Sequence, residues 1–181
     1  MSAVQNIESP LRRTRRAAAA GAVAVAALAA TLVAGSPAHA AGYDGILRSW
    51  AQGNCLDIKP GSTSVYTSPC VTGDNWQRWR LESAGADGAV TVVNDQTSLC
   101  LDIPPGSWNG STGALYVSTC VFGDRWQQWQ TSSMVRPDGN LAVNFRNQAV
   151  QACLDANQPQ NLPFINSRCY YGGYQDWKPG F

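Results

Sequence analysis

Six cysteines, a scatter of aspartates and a near absence of histidine define the chemistry open to this chain of 181 residues. The one histidine, His39, and one of the two glutamates, Glu8, lie at the N-terminal end, ahead of the part that reads as a fold. Beyond them the commonest general base and metal ligand is missing, and Glu82 is the sole glutamate. Nucleophilic and acid–base catalysis would have little to work with. Zinc is disfavoured as well, because no Cys-x-x-Cys occurs and no histidine is at hand. The residue types call for no metal and no cofactor. What remains is an even set of cysteines, Cys55, Cys70, Cys100, Cys120, Cys153 and Cys169, which in an exported chain reads as a disulfide framework.

Export is what the N-terminus suggests. "RRTRR" at 12–16 is basic apart from one Thr, 17–34 is an apolar Ala-rich run, and "GSPAHA" at 35–40 places Ala38 and Ala40 in Ala-x-Ala positions. That order is a secretory signal peptide over 1–40. A membrane anchor is the competing reading, but the run is Ala-rich rather than Leu-rich and ends in a cleavage-type sequence, so no membrane insertion is expected after cleavage. The paired arginines leave the export route open. Four arginines and Glu8 leave with this segment, turning a formal net charge of +1 into −2 for 41–181. With no basic stripe, nucleic acid is not an expected partner.

The cysteines sit in recurring phrases. The first of each pair opens "CLD", at 55–57, 100–102 and 153–155, and the second closes "TSPC", "VSTC" or "NSRC". The phrasing predicts Cys55–Cys70, Cys100–Cys120 and Cys153–Cys169. A Gln-x-Trp follows each pair: "GDNWQRW" at 73–79, "GDRWQQW" at 123–129 and the looser "GGYQDW" at 172–177. The chain thus divides into units of about 44–89, 90–137 and 138–181, a periodicity that outranks local signals. Short apolar–polar strands separated by Gly, Pro, Ser and Asn turns, without sustained helical periodicity, read as all-β. Three units are too few for a propeller, and a solenoid would need unlike capping units. A closed barrel removes exposed sheet edges without caps. The predicted fold is therefore a β-trefoil with pseudo-threefold symmetry and one disulfide in each repeat.

The triple Cys-Leu-Asp, triple second Cys and triple Gln-x-Trp resemble the ricin B-type lectin family over about 44–181, in a domain that would fill 41–181. The resemblance implies twelve strands and up to three shallow carbohydrate sites. It also implies that Trp79, Trp129 and Trp177 face a common core, with Gln77, Gln127 and Gln175 satisfying nearby backbone groups. In the family the Asp of Cys-Leu-Asp accepts from sugar hydroxyls, which carries over to Asp57, Asp102 and Asp155. An Asp following a strand can equally cap its own turn.

Two family positions differ. Ser68, Ser118 and Ser167 stand where the stacking aromatic usually lies, two residues before the second Cys. Trp76, Trp126 and Tyr174 stand where an Asn usually precedes the Gln. Tyr66 and Tyr116, two residues from the serines and on the same strand face, are candidate replacement platforms, or else pack on the barrel. Unit three has Ile165 at that place, with Phe164 beside it. Trp76 and Trp126 are further candidate platforms, with Asp74, Asn75 and Asp124 supplying polar edges. Trp108, in the long loop "PPGSWNGSTG", is expected to be exposed and to bind.

The sequence therefore predicts a secreted, non-catalytic carbohydrate-binding module whose partners are a glycan or polysaccharide and, because no second domain follows, a separate enzyme or toxin subunit. The alternative is a lectin-like protein-interaction or toxin-delivery subunit with lost sugar sites, marked by one patch of Trp76, Trp108 and Trp126. A glycosidase would need paired carboxylates across a cleft, whereas the acids here fall mostly one to a repeat.

Overall fold

A computed structural model describes residues 43–85, 87–157 and 161–180. The leader expected over 1–40 lies outside the described residues. Thirteen strands occur among them: β1 (Tyr43–Ser49), β2 (Cys55–Ile58), β3 (Val65–Ser68), β4 (Arg78–Ser83), β5 (Val90–Asn94), β6 (Cys100–Asp102), β7 (Thr112–Gly113), β8 (Tyr116–Ser118), β9 (Trp129–Val135), β10 (Leu141–Asn147), β11 (Cys153–Asp155), β12 (Phe164–Asn166) and β13 (Trp177–Gly180). The segments rich in β-branched and apolar residues form the strands, as in "VTVVN" of β5. Tyr43–Ser49 shows the partial in–out alternation of a barrel wall.

Six strands close on themselves. β1 pairs with β4, β4 with β5, β5 with β9, β9 with β10, β10 with β13, and β13 returns to β1, all antiparallel. Three hairpins, β2–β3, β6–β8 and β11–β12, hang from this barrel. Each is tied to it by one equivalent pair: Arg48 with Cys55, Val93 with Cys100, and Arg146 with Cys153. A closed barrel of six strands with three hairpins is the β-trefoil. The strand beyond the expected twelve is β7, in the long loop of unit two, and it pairs with β12 of unit three. Gly113 permits that approach, since a Cβ there would meet Ile165 Cδ1 at 2.9 Å.

Trp79, Trp129 and Trp177 occupy equivalent positions and are fully buried in one core with Leu47, Leu101, Phe145 and Leu154. Each indole N–H donates to the leucine carbonyl of a Cys-Leu-Asp: Leu56 at 2.9 Å, Leu101 at 3.2 Å and Leu154 at 3.4 Å. The three rings thus fill the barrel and also pin the hairpins to it. Burying an indole contributes roughly 4–6 kcal/mol before entropy is counted. The disulfides are Cys55–Cys70, Cys100–Cys120 and Cys153–Cys169, as the repeated phrases predict.

Candidate functional site

Each Cys-Leu-Asp carboxylate lies at the root of its hairpin, held by the Gln of the same unit. Gln77 Nε2 donates to Asp57 Oδ2 at 3.0 Å, Gln127 to Asp102 at 3.0 Å and Gln175 to Asp155 at 2.9 Å. The Gln Oε1 accepts a backbone N–H just past the second cysteine, from Val71, Val121, or both Tyr170 and Tyr171. These glutamines therefore satisfy backbone groups as the resemblance implies, and they also fix the carboxylates. Ser68 and Ser118 each donate to the same Asp oxygen at 2.6 Å. The serines thus add a donor where the family carries an aromatic.

Unit three is built differently from the expected alignment. Strand register places Asn166, not Ser167, opposite Cys153, as Ser68 lies opposite Cys55 and Ser118 opposite Cys100. Asn166 accordingly donates to Asp155 Oδ2 at 3.0 Å. Register likewise sets Phe164, rather than Ile165, opposite Asp155, where units one and two have Tyr66 opposite Asp57 and Tyr116 opposite Asp102. The cause is one extra residue between strand end and cysteine, and a shift of one along a strand exchanges its faces.

The three carboxylates differ in what is left over. Asp57 is 3 % exposed and its Oδ1 has no hydrogen-bond partner. Asp102 is 4 % exposed, and its Oδ1 accepts from the Ile103 N–H at 2.6 Å. Asp155 is fully buried. Its Oδ1 takes the Asn157 N–H, and its Oδ2 takes Gln175, Asn166 and the Tyr170 hydroxyl at 2.9 Å. Tyr170 carries no counterpart in the other units, where Val71 and Val121 follow the second cysteine. That substitution is the one sequence signal that marks it out. Burial and the neighbouring Asp155 carboxylate both push its phenol well above the usual tyrosine range.

Tyr66 and Tyr116 are half-buried beside Asp57 and Asp102. Both phenols are pushed up, mainly by burial and further by the facing carboxylate. In unit two a cavity of about 240 Å³ is lined by Asp102, Ile103, Pro105, Gly106, Tyr116, Asp124 and Trp126. Trp126 is 36 % exposed, whereas Trp76 is half-buried and packs against the core. Asp74 and Asp124 accept from the Trp76 and Trp126 N–H groups, each at 3.0 Å, so each caps the turn that carries its aromatic. Asn75 is exposed in a 3₁₀ turn (Asn75–Gln77), and its backbone carbonyl takes the Asn94 side chain. Trp108 departs from the expectation of an exposed loop residue. It is half-buried against the core beside Gly113, where β7 turns the loop back onto β12.

A trefoil with one carboxylate clamped by Ser or Asn and by Gln in every unit is a lectin-type domain. Residues 43–177 match the ricin-type beta-trefoil lectin domain, and the chain belongs to that family. No curated protein matches the sequence. Solved structures with the same fold include the designed threefold-symmetric protein ThreeFoil, 19% identical, with a TM-score of 0.61 over 75% of this chain and 96% of that one. The hemolytic lectin CEL-III is 25% identical, with a TM-score of 0.58 over 77% of this chain and 30% of its own length. SeviL, solved with asialo-GM1 saccharide, is 16% identical, with a TM-score of 0.57 over 75% of this chain and 94% of that one.

Proposed function

We propose that this chain is a secreted, non-catalytic carbohydrate-binding module that takes sugars at units one and two. The observation that carries the reading is the repeated pairing of a buried carboxylate with a facing tyrosine, Asp57 with Tyr66 and Asp102 with Tyr116. A pyranose presents one weakly apolar face and a rim of hydroxyls, so a ring beside an acceptor suits it. The unpartnered Asp57 Oδ1 supports an acceptor role, because a buried carboxylate oxygen is costly to leave unpaired. The cavity at Asp102, Tyr116, Asp124 and Trp126 has room for one sugar residue.

Unit three is the weakest candidate, since Tyr170 already donates to Asp155 and Phe164 brings no hydroxyl. Trp108 is not among the residues we assign to a site. The protein-delivery reading has less support, because Trp76 and Trp108 are half-buried against the core. Three disulfides suit an oxidising compartment, and the leader reading of 1–40 agrees with export.

Binding of the oxidised domain 41–181 to insoluble polysaccharides and a glycan array tests this, beside Asp57→Ala and Asp102→Ala. Weak binding that is lost when both are replaced in a folded protein is the expected result. Failure of the parent to bind any glycan would overturn the reading.

A further inference from the structure

A second kind of cavity lies where the first strand meets the last. An open cavity of about 210 Å³ is lined by Arg48, Ser49, Trp50 and Gly53 of unit one, Asp138 of the β9–β10 turn and Lys178 of β13. It uses none of the Cys-Leu-Asp carboxylates. Its chemistry stands out against the two equivalent places in the barrel.

Arg48 and Lys178 are cross-strand neighbours in register. The equivalent pairs are Val93 with Arg80 and Arg146 with Gln130. Two residues after Arg48 stands Trp50. The equivalent residue after Val93 is Asp95, which neutralises both Arg78 and Arg80. After Arg146 it is Gln148, whose amide donates to Asp87 Oδ2 at 3.2 Å. Asp87 and Asp138 hold matching places in the two Asp-Gly turns between barrel strands. In unit two the polar groups therefore satisfy one another, and in unit three Gln148 is tied to Asp87 while Arg146, like Arg48, bonds a backbone carbonyl, that of Gln151 at 3.1 Å. In unit one an indole replaces the neutralising side chain, and among the described residues Arg48 and Lys178 make no ion pair.

The cavity is also organised. Arg48 Nε donates to the Gly53 carbonyl at 2.7 Å, which fixes the guanidinium. Arg136 stacks on Trp50, with Cζ 5.1 Å from the ring centroid, and is itself held by the buried Asp176 at 2.7 Å. The indole is thereby packed against a charge that is already neutralised. Asp138 is satisfied by the Asn140 N–H and side-chain amide and keeps further acceptor capacity.

We infer that this cavity binds a sugar residue carrying a carboxylate, a hexuronate. Trp50 lies against the ring, Arg48 and Lys178 take the carboxylate, and Asp138 accepts from a hydroxyl. A guanidinium offers paired donors matched to a carboxylate, and two cations against one carboxylate leave the lining positive in a domain of net negative charge. The site is independent of the ones proposed at Asp57 and Asp102.

The test is calorimetric titration of the oxidised domain with trigalacturonate, and with galactotriose as the neutral control. NMR follows the indole N–H resonances. Trigalacturonate is expected to bind about tenfold more tightly than galactotriose, to weaken several-fold between 20 mM and 300 mM NaCl, and to shift the Trp50 resonance. Arg48→Gln, at an exposed position, and Lys178→Gln, at a half-buried one, should each reduce its affinity about tenfold. The inference is overturned if trigalacturonate binds no more tightly than galactotriose. It is equally overturned if both variants, shown folded by their spectra, bind it at parental strength. If trigalacturonate binds through Arg48 while galactotriose and the glycan array give nothing, this site stands and the reading of Asp57 and Asp102 falls.

Discussion

Gln127 and Asp102 are bound side chain to side chain at 3.0 Å, 25 residues apart in sequence and both buried. The same bond joins Gln77 to Asp57 and Gln175 to Asp155. It ties the Gln-x-Trp phrase of each unit to its Cys-Leu-Asp phrase. The two most repeated pieces of the sequence are therefore halves of one hydrogen-bonded joint.

Removing the amide should be costly. Gln127→Ala deprives Asp102 of a donor and leaves the Val121 N–H unpaired inside the joint. A loss of about 2–4 kcal/mol is expected from the unsatisfied groups, read from the urea midpoint. A change below about 0.5 kcal/mol would mean that water replaces the amide freely.

The core tryptophans bind through shape and one hydrogen bond. Trp129→Phe keeps a ring but leaves a gap and removes the donor to Leu101 O. Stability should fall by about 2 kcal/mol while the chain still folds. Trp129→Ala should cost about 3–5 kcal/mol. Thermal unfolding of the two variants side by side checks the order.

The disulfide of unit two closes 20 residues, the longest of the three loops. Replacing Cys100 and Cys120 together by Ala should cost about 3 kcal/mol through the loop entropy returned to the unfolded chain. Denaturant unfolding of the double variant measures this. Reducing all three bridges in the parent should lower the midpoint further.

Tyr170 fills unit three with this chain's own hydroxyl. Tyr170→Ala removes that donor from Asp155 and opens the space beside it. Where a sugar that binds units one and two is in hand, its stoichiometry by calorimetry should rise from two towards three. A stoichiometry that stays at two would show that unit three lacks more than an opening.

Alkaline pH should loosen the fold. Burial pushes the Tyr43 phenol up to about 12 from its ordinary value of 10.0. The folded state therefore holds this proton more tightly than the unfolded state does. The resulting stabilisation is complete below pH 10 and disappears as pH rises towards 12. Tyr66, Tyr116 and Tyr170 shift in the same direction. Unfolding midpoints at pH 8, 10 and 11.5 should fall in that order, with a shallower fall in Tyr43→Phe.

Much of this was legible in the sequence because it is written three times. Cysteine pairing, the three-unit division and the β class follow from local phrases recurring in one order, and the burial of the Gln-x-Trp tryptophans from the family those phrases resemble. Repetition averages out the noise in any single phrase. It misleads where one unit carries an insertion. Counting back from Cys169 selects Ser167 and Ile165, while the ladder selects Asn166 and Phe164, because hydrogen-bond register obeys the pleat rather than the distance to a cysteine.

By itself, then, the sequence determined which residues recur and hence the trefoil they build, since each unit can bury its apolar face only against the other two. The tertiary structure alone decided which polar groups are left over. Trp108 reads as an exposed loop aromatic until β7 folds it onto the core. Arg48, Trp50, Asp138 and Lys178 share no motif and meet only where the barrel closes. Whether a charge or a hydroxyl is already satisfied depends on neighbours distant along the chain, and only the closed fold brings them within hydrogen-bonding range.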